Sequence, residues 1–329
     1  MRKLVMVLSG LMLLAATGCG PGVGYVVKPV PLSDQLAESV ISADGGWFVY
    51  DKIAIVDVDG LIFNDRNGGL FGMGDNPVAV FVEKMDKAQG DPNVKAVVLR
   101  INSPGGGVCA SDIMYQRVMD FRAARKGVPV IAMIEDVGAS GGYYVACAAD
   151  SIMAHPTSIT GSIGVLVQTV SFAGTMQKIG VTAKAITSGE YKDMGSPLKP
   201  LEDKDAAVIK VMVDDFYGRF KTVVAGGRPK LTADDVARLA DGRVYTGEQA
   251  RANGLVDELG YMPAAIREAK LRCGSKRVKV VMYHRPWGSR QTTYSAAQDV
   301  QPQVNLINIS MPHMAAMTQP QFLYLWTGK

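Results

Sequence analysis

A serine at the end of an apolar run is the residue of this chain best suited to act as a nucleophile. Ser140 follows the run VIAMI at 130–134 and lies within DVGASGGYY at 136–144, ahead of a helix-favouring stretch. Small neighbours let a substrate carbonyl approach a hydroxyl closely, and N–H groups at a helix N-terminus stabilise a developing negative charge. A serine that only caps a helix has the same local sequence, so the other reacting groups must decide.

A serine hydroxyl needs a general base. Histidine is the commonest base, but none of His155, His284 and His313 has a carboxylate partner that the sequence identifies. The alternative is Lys192, in the turn-rich loop SGEYKDMGSP at 188–197. Burial lowers the pKa of a lysine from its usual value of about 10.4. A buried Lys192 would therefore accept the proton of Ser140, whereas a solvated surface lysine would not.

Two further segments are rich in glycines and hydroxyls. RINSPGGG at 100–107 follows an apolar run, and its N–H groups, with that of Gly141, predict an oxyanion hole. Neither GxxxxGK[ST] nor GxGxxG is present, which argues against a phosphate cradle. Ser103 is a competing nucleophile, although its place before a proline favours a turn residue. In TSITGSIGV at 157–165, typical of a tight turn, one hydroxyl would hold a neutral lysine in place.

Alternating strand-like and helix-like stretches place these groups at the ends of strands. Strands are predicted at 53–58, 94–101, 128–134, 151–154, 164–170 and 181–186, and helices at 77–89, 111–126, 203–224, 232–239 and 247–253. This alternation predicts an α/β fold of parallel strands with covering helices.

The N-terminus predicts export. Arg2 and Lys3 precede a short apolar run at 4–16, and small residues lead up to Cys19. The run is shorter than the roughly 20 residues of a membrane span. The pattern resembles a bacterial lipobox, which predicts a signal peptide over 1–18, lipidation of Cys19 and a tether over 19–49. A plain signal peptide and a short anchor are the alternatives, and all three export the chain.

Composition excludes several classes of function. Removal of residues 1–18 lowers the formal net charge from +4 to +2, so a nucleic-acid partner is not expected. The three cysteines that follow Cys19 have no CxxC or Cys/His spacing, which argues against a disulfide framework or a metal site. No metal or organic cofactor is expected.

The C-terminus has a different character. Polar residues dominate from 289 to 321, and FLYLW follows at 322–326. We expect residues 289–329 to form a flexible tail with an apolar tip. The tip either packs on the domain or on a neighbouring subunit, or enters the active site of its own chain as a pseudo-substrate and is trimmed.

Five motifs in a fixed order resemble the family of signal peptide peptidase A, also called protease IV. They are SPGGG at 103–107, ASGGYY at 139–144, TGSIGV at 160–165, YKDMGSP at 191–197, and GRVYTG at 242–247 followed by GLVD at 254–257. The resemblance covers about residues 50–275. It implies a Clp/crotonase-like fold of repeated ββα units, with one copy of a protease domain over 50–288, as in the short form of the family.

The resemblance also implies roles for single residues. Ser140 matches the nucleophile of a Ser-Lys dyad, Lys192 its general base, and Ser162 the serine that orients the lysine. Gly106 and Gly141 match the oxyanion region. An extended substrate would add as a strand beside the glycine segment, in a groove that we expect to include Gly105, Gly107, Ala139 and Tyr143.

The implied enzyme is a membrane-associated serine peptidase that degrades cleaved signal peptides and other apolar exported peptides. The implied assembly is a homo-oligomeric ring, an octamer in the short form, whose sites combine serine and lysine from neighbouring subunits. With Cys19 lipidated, the chain is expected on the extracytoplasmic face of a bacterial membrane. Three alternatives stay open: a thioester-handling crotonase relative, a non-catalytic peptide-binding lipoprotein, and a protease with a dedicated regulatory substrate.

Overall fold

One sheet with helices on both faces is built from the alternating elements of the chain. The computed structural model describes residues 35–46, 48–65, 75–286 and 321–328. In these ranges the strands are β1 Ala37–Ala43, β2 Lys52–Ile62, β3 Val94–Gly107, β4 Val130–Ala139, β5 Ser151–Ala154, β6 Ile159–Gly161, β7 Leu166–Val167, β8 Val244–Thr246, β9 Glu258–Leu259, β10 Lys279–His284 and β11 Phe322–Leu325. The helices are α1 Pro77–Gly90, α2 Val108–Ala124, α3 Gly141–Ala146, α4 Ala173–Lys178, α5 Asp203–Gly227, α6 Ala233–Leu239, α7 Gly247–Ala252 and α8 Met262–Cys273.

The strand order is β1-β10-β2-β3-β4-β5-β9. The strands from β10 to β9 run parallel, and β1 closes one edge antiparallel to β10. Two short strands branch from this path at the carboxyl ends of the central strands: β6 pairs with β4, and β11 pairs with β3. The predicted α/β fold with parallel strands and covering helices is confirmed.

Alternation along the central strands divides the core into two layers. In β2, Ile53 and Ile55 contact the residues of α8, whereas Ala54 and Val56 belong to the larger cluster under α1, α2 and α3. Successive side chains of a strand point to opposite faces, and both faces of a parallel sheet are normally covered by helices. The near-continuous apolar runs of β2, β3 and β4 have this origin.

A buried ion cluster links α1 to the middle of the sheet. Asp57 on β2 accepts hydrogen bonds from Lys84 of α1 at 3.0 Å and from Arg100 of β3 at 2.7 Å. All three side chains are at most 5% exposed. Burial by itself raises the pKa of Asp57, but the two cations outweigh it and hold the pKa below its usual range. The carboxylate is therefore charged in the folded protein.

The structure differs from the sequence-based predictions in several places. The strand predicted at 164–170 covers only Leu166–Val167, and part of the predicted flexible tail forms strand β11. Residues 37–43, within the predicted tether, form strand β1 at the edge of the sheet, and the preceding Leu36 is buried. The predicted strand at 181–186 is absent, and all six of its residues are exposed in the single chain. The signal peptide, Cys19 and the part of the tail at 289–320 lie outside the described residues.

Replacing Asp57 with alanine tests the buried ion cluster. The variant leaves Lys84 buried without its carboxylate, and we expect the free energy of unfolding to fall by about 3–5 kcal/mol. Urea unfolding followed by circular dichroism measures this. Asp86→Ala is the matched control, because Asp86 also pairs with an arginine but is 63% exposed, and an exposed pair contributes at most about 1 kcal/mol. Equal losses in the two variants would contradict the analysis.

Candidate active site

The backbone of Ser140 is held in a conformation that L-residues avoid. Its φ is 52° and its ψ is −115°, immediately between β4 and α3. Its N–H donates to the Gly161 carbonyl at 2.8 Å, and its carbonyl accepts from the Tyr144 N–H at 2.8 Å. Its side chain forms no capping hydrogen bond to α3. Strain of this kind costs about 1–3 kcal/mol and is concentrated at functional sites, so a helix cap does not explain the serine.

A second serine with positive φ lies beside the first. The register of β4 and β6 pairs Ala139 with Gly161, so Ser140 and Ser162 each follow a paired residue. Ser162 has a φ of 50°, is 7% exposed, and donates its N–H to the Arg243 carbonyl at 2.8 Å. The backbone thus brings the predicted nucleophile and the predicted lysine-orienting serine to the same end of the sheet.

The competing serine, Ser103, lies inside strand β3, where it pairs with Gly138 of β4. Its hydroxyl donates to the Gly60 carbonyl at 2.6 Å and accepts from the Gly105 N–H at 3.1 Å. The side chain is fully buried. These two bonds occupy the hydroxyl and support a structural role for Ser103, although the predicted turn is wrong because the residue belongs to a strand.

The glycine segment and the residue after Ser140 approach each other closely. Gly105 has a φ of 98°, and a Cβ there would lie 2.6 Å from the Gly141 nitrogen and 2.0 Å from the Tyr324 carbonyl oxygen. That nitrogen and that oxygen are therefore at most 4.6 Å apart. Only glycine combines this φ with such close approach of backbone. Ser111 of α2 is a neighbour that the sequence did not suggest, because its Oγ would lie 2.4 Å from a Cβ at Gly141.

The C-terminal strand β11 lies along the glycine segment. It runs antiparallel to β3, with Leu323 opposite Gly107, Tyr324 opposite Gly106 and Leu325 opposite Gly105. The next N–H, of Trp326, donates to the Pro104 carbonyl at 2.9 Å. Hydrogen-bonded and non-hydrogen-bonded pairs alternate in an antiparallel ladder, so Tyr324 and Gly106 form a hydrogen-bonded pair. The Gly106 N–H is thereby directed at the Tyr324 carbonyl.

The side chain of Tyr324 fills an aromatic pocket. Its ring lies 5.0 Å from Tyr144 of α3 and 4.6 Å from Phe220 of α5, measured between ring centroids. Its hydroxyl donates to the Phe216 carbonyl at 2.8 Å, and the residue is fully buried. The other edge of β11 pairs with β7. The groove between β3 and β7 therefore accommodates an extended peptide with a large aromatic side chain.

Two predicted substrate contacts have other positions. Tyr143 is fully buried, and its hydroxyl donates to the Leu255 carbonyl at 2.7 Å, so its side chain points into the core. The tyrosine that contacts the strand in the groove is the next one, Tyr144. Ala139 is fully buried at the end of β4 and positions Ser140 through its pairing with Gly161.

Lys192 is an exposed residue, whereas Ser140 is buried. In the part of the chain that the structure describes, the amine of Lys192 has no hydrogen bond or ion pair. The structure described does not bury Lys192 as a neutral lysine requires. The segment that precedes its loop exposes large apolar side chains: Phe172, Ile179 and Ile186 are 44%, 69% and 97% exposed.

The histidines have other surroundings. The ring of His155 packs on Tyr261 at 4.8 Å, and burial lowers the pKa of His155. His284 shares hydrogen bonds with the Ser39 hydroxyl and the Arg285 carbonyl. Neither set of contacts includes Ser140, and His313 lies outside the described residues. Over the described ranges, no group of three or more His, Cys, Asp or Glu side chains is arranged to hold a metal ion, and no helix is long and apolar enough to span a bilayer.

Several known proteins similar to this chain are named as peptidases. The pattern of peptidase family S49 matches residues 122–276. A putative signal peptide peptidase SppA of Enterococcus faecium is 36% identical over 219 residues, 67% of this chain and 63% of the relative. A putative protease of Methanocaldococcus jannaschii is 32% identical over 260 residues, 78% of this chain and 82% of the relative. Protease 4 of Haemophilus influenzae is 37% identical over 225 residues, 68% of this chain but 35% of that protein.

Replacing Ser140 with glycine tests the strain at the serine. Glycine adopts the observed φ and ψ freely, although it also increases the freedom of the unfolded chain. Ser140→Gly should be more stable than Ser140→Ala by about 1 kcal/mol, since alanine keeps the strained Cβ. Urea unfolding of the two variants measures the difference. Ser140→Ala equal to or more stable than Ser140→Gly would mean that the backbone here is relaxed.

Proposed function

The chain belongs to peptidase family S49, and on that premise we propose that it is a serine endopeptidase with Ser140 as nucleophile and Lys192 as general base. The family expected from the five sequence motifs is confirmed. The observation that carries the proposal is a strained, buried serine beside a groove in which a peptide strand already lies, with a peptide carbonyl near two N–H donors. A serine without a peptide substrate has no need of this arrangement.

The reaction follows from the groups at this end of the sheet. Lys192 in its neutral form takes the proton of Ser140 as the serine oxygen attacks the substrate carbonyl. The N–H groups of Gly106 and Gly141 stabilise the resulting oxyanion. The protonated lysine then gives its proton to the leaving amine, and the C–N bond breaks to leave an acyl-serine. A water molecule, deprotonated by the same lysine, releases the acid product.

The lysine of each site is supplied by a neighbouring subunit in this proposal. Lys192 is exposed in its own chain, and a base of this type must be desolvated to be neutral near physiological pH. Large apolar side chains exposed in the segment before the loop, including Ile179 and Ile186, favour a subunit interface, because exposed apolar patches mark interaction sites. A closed ring of identical subunits gives every serine a partner lysine, which Ser162 would orient in this proposal.

The substrates that the groove favours are extended, apolar peptides. The strand partner is the backbone of β3, so main-chain hydrogen bonds supply affinity and the aromatic pocket supplies selectivity. Signal peptides, after which the Enterococcus relative is named, have this character. Lipidation of Cys19 would hold the enzyme at the membrane where such peptides accumulate.

The C-terminal strand of the chain occupies the same groove and is the enzyme's own first substrate. The Tyr324 carbonyl is the one paired with Gly106 and is close to the Gly141 nitrogen. The bond placed for attack is therefore Tyr324–Leu325, and its cleavage removes residues 325–329. A thioester-handling relative would not need a groove that pairs with a peptide strand, and a binding protein would leave the tail uncut.

Inactive variants test the dyad and its division between subunits. Ser140→Ala and Lys192→Ala should each lower kcat/KM for an apolar fluorogenic peptide by about 10³-fold or more. Co-expression of the two variants should restore about a quarter of wild-type activity, because a random ring pairs an intact serine with an intact lysine at one interface in four. Full activity of Ser140→Ala would refute the nucleophile. If the two inactive variants showed no activity when co-expressed, both groups would have to act within one chain.

Competition between the C-terminal strand and substrate is tested in a variant that lacks the proposed nucleophile. In the Ser140→Ala background, Tyr324→Ala should increase the affinity for an apolar peptide by about tenfold to a hundredfold, since emptying an aromatic pocket costs the tail about 1.5–3 kcal/mol of burial. Fluorescence polarisation measures the affinity. Thr327→Ala is the control, because Thr327 is exposed. An unchanged affinity in Tyr324→Ala would show that the tail does not compete with substrate.

Trimming is tested by intact mass. Wild-type protein incubated for long periods should lose residues 325–329, and Ser140→Ala should keep them, because only the former has the serine oxygen that attacks the Tyr324 carbonyl. Cleavage at another bond would mean that β11 is not aligned for reaction, and an intact wild-type terminus would show that the tail is not a substrate.

A further inference from the structure

The loop that carries Lys192 is fastened on both sides of that residue by lysines from the segment that begins α5. Glu190, two residues before Lys192, pairs with Lys204 at 2.9 Å, and Asp193, one residue after it, pairs with Lys199 at 2.8 Å. The Lys192 N–H donates to the Gly189 carbonyl at 3.2 Å, which closes a turn between the two pairs. Lys192 is left as the exposed cation between two fixed carboxylates.

One of the two attachments reaches a buried anchor. Lys199 also lies 3.0 Å from Asp205, whose side chain has no exposed surface, while that of Lys199 is 21% exposed. Glu202 is a more distant third partner of Lys199, at 3.5 Å. In the described part of the chain, Lys199 is the only cation within ion-pair distance of Asp205. A buried carboxylate that has one cation holds that cation firmly, because losing it would leave an uncompensated charge in a region of low dielectric.

Two hydrogen bonds to backbone carbonyls hold the segment that contains Lys199. The Ser171 hydroxyl donates to the Lys199 carbonyl at 2.9 Å, and the Phe172 N–H donates to the Pro197 carbonyl at 2.7 Å. The pKa of Lys199 is raised, first by its hydrogen bond to Asp193 and then by Asp205, which favours the charged lysine. The Asp193–Lys199–Asp205 chain links the loop to a buried position on α5.

We propose that Lys199, held between Asp193 and Asp205, is a positioning residue that fixes the 188–197 loop so that Lys192 projects from the subunit surface toward the reacting serine of a neighbouring subunit. This inference rests on the proposed function. A general base must be placed within a few tenths of an ångström of its proton, and a lysine presented across an interface has no packing in its own chain to place it. The link substitutes for that packing by fixing the backbone from which the side chain extends.

The link fastens the loop that carries the base, and the groove is built from other residues. The residues that contact the peptide strand are on β3, β7, α3 and α5 at Phe216 and Phe220, whereas the link joins the loop to the first turn of α5. Loosening the loop should therefore lower kcat and leave KM unchanged. This division separates a positioning role from general destabilisation, which would also disturb the groove.

Single variants of the full-length protein provide the first test. Lys199→Met and Asp193→Asn should each lower kcat for an apolar fluorogenic peptide about tenfold or more with KM unchanged, and Lys199→Arg should restore most of the loss. Asp193→Asn cuts the link without removing the partner of buried Asp205, so it remains informative where Lys199→Met does not fold. Lys210→Met is the matched control, because Lys210 pairs with Asp214 on the exposed side of the same helix, and its kcat should be that of wild type.

Mixed rings provide the decisive test. Ser140→Ala chains, which supply the lysine, are co-expressed with Lys192→Ala chains, which supply the serine. Asp193→Asn added to the lysine-supplying chain should lower the restored activity about tenfold. The same substitution added to the serine-supplying chain should leave it unchanged, since that chain no longer has a lysine to position. Equal losses in the two mixtures would overturn the proposal and make the link a merely structural one.

The outcomes separate this proposal from the function on which it rests. Full activity of Ser140→Ala rejects the serine mechanism, whatever Asp193→Asn does. Mixtures without activity beside an active wild type reject the shared site and, with it, presentation of Lys192 to a neighbour. Restored mixtures with no effect of Asp193→Asn on either chain keep the proposed function and reject the positioning role of Lys199.

Discussion

The short ladder between β4 and β6 is the interaction on which the candidate site depends. It pairs Ala139 with Gly161 and lets the Gly161 carbonyl accept the Ser140 N–H. Without that pairing, nothing would hold Ser140 at a positive φ, and the turn into α3 would relax. The same ladder brings Ser162 alongside and continues through β8, whose neighbour Arg243 accepts the Ser162 N–H. A few backbone hydrogen bonds thus determine the direction of every reacting group on the serine side.

The packed core around the central strands stabilises the strained backbone at Ser140. The central strands are buried on both faces, and Asp57 ties α1 to the sheet through Lys84. A strained turn persists only where its surroundings over-determine it. The lysine side has the opposite character: its loop lies on the surface and is fixed by ion pairs. In the proposed dyad, Ser140 is therefore positioned by the packed core, and the loop of Lys192 is positioned by ion pairs.

The features of the fold that depend on local sequence were mostly predictable from local patterns. The sheet, its order of elements and the serine and glycine segments could be predicted because apolar runs and glycines have local signatures. The aromatic pocket could not, since Tyr144, Phe216 and Phe220 come from two helices and converge only in space; the one signal was the four-residue spacing of the two phenylalanines on α5. Strand β1 was missed because its alternation is weak and its partner β10 lies more than 200 residues away. The strand predicted at 181–186 was wrong: these residues are exposed and belong to no strand in the described part of the chain, because a short sequence pattern does not show whether a partner strand is available.

The close approach at Gly105 has a consequence for how the enzyme would respond to its surroundings. A covalently attached strand meets the groove without having to diffuse to it, which raises its effective concentration, so scarce peptides seldom displace it and abundant ones do. Loss of the segment after Tyr324 cannot be reversed without new synthesis. Trimmed chains would accumulate with time after synthesis. A population rich in trimmed chains would bind substrate peptides at lower peptide concentrations than a population of intact chains.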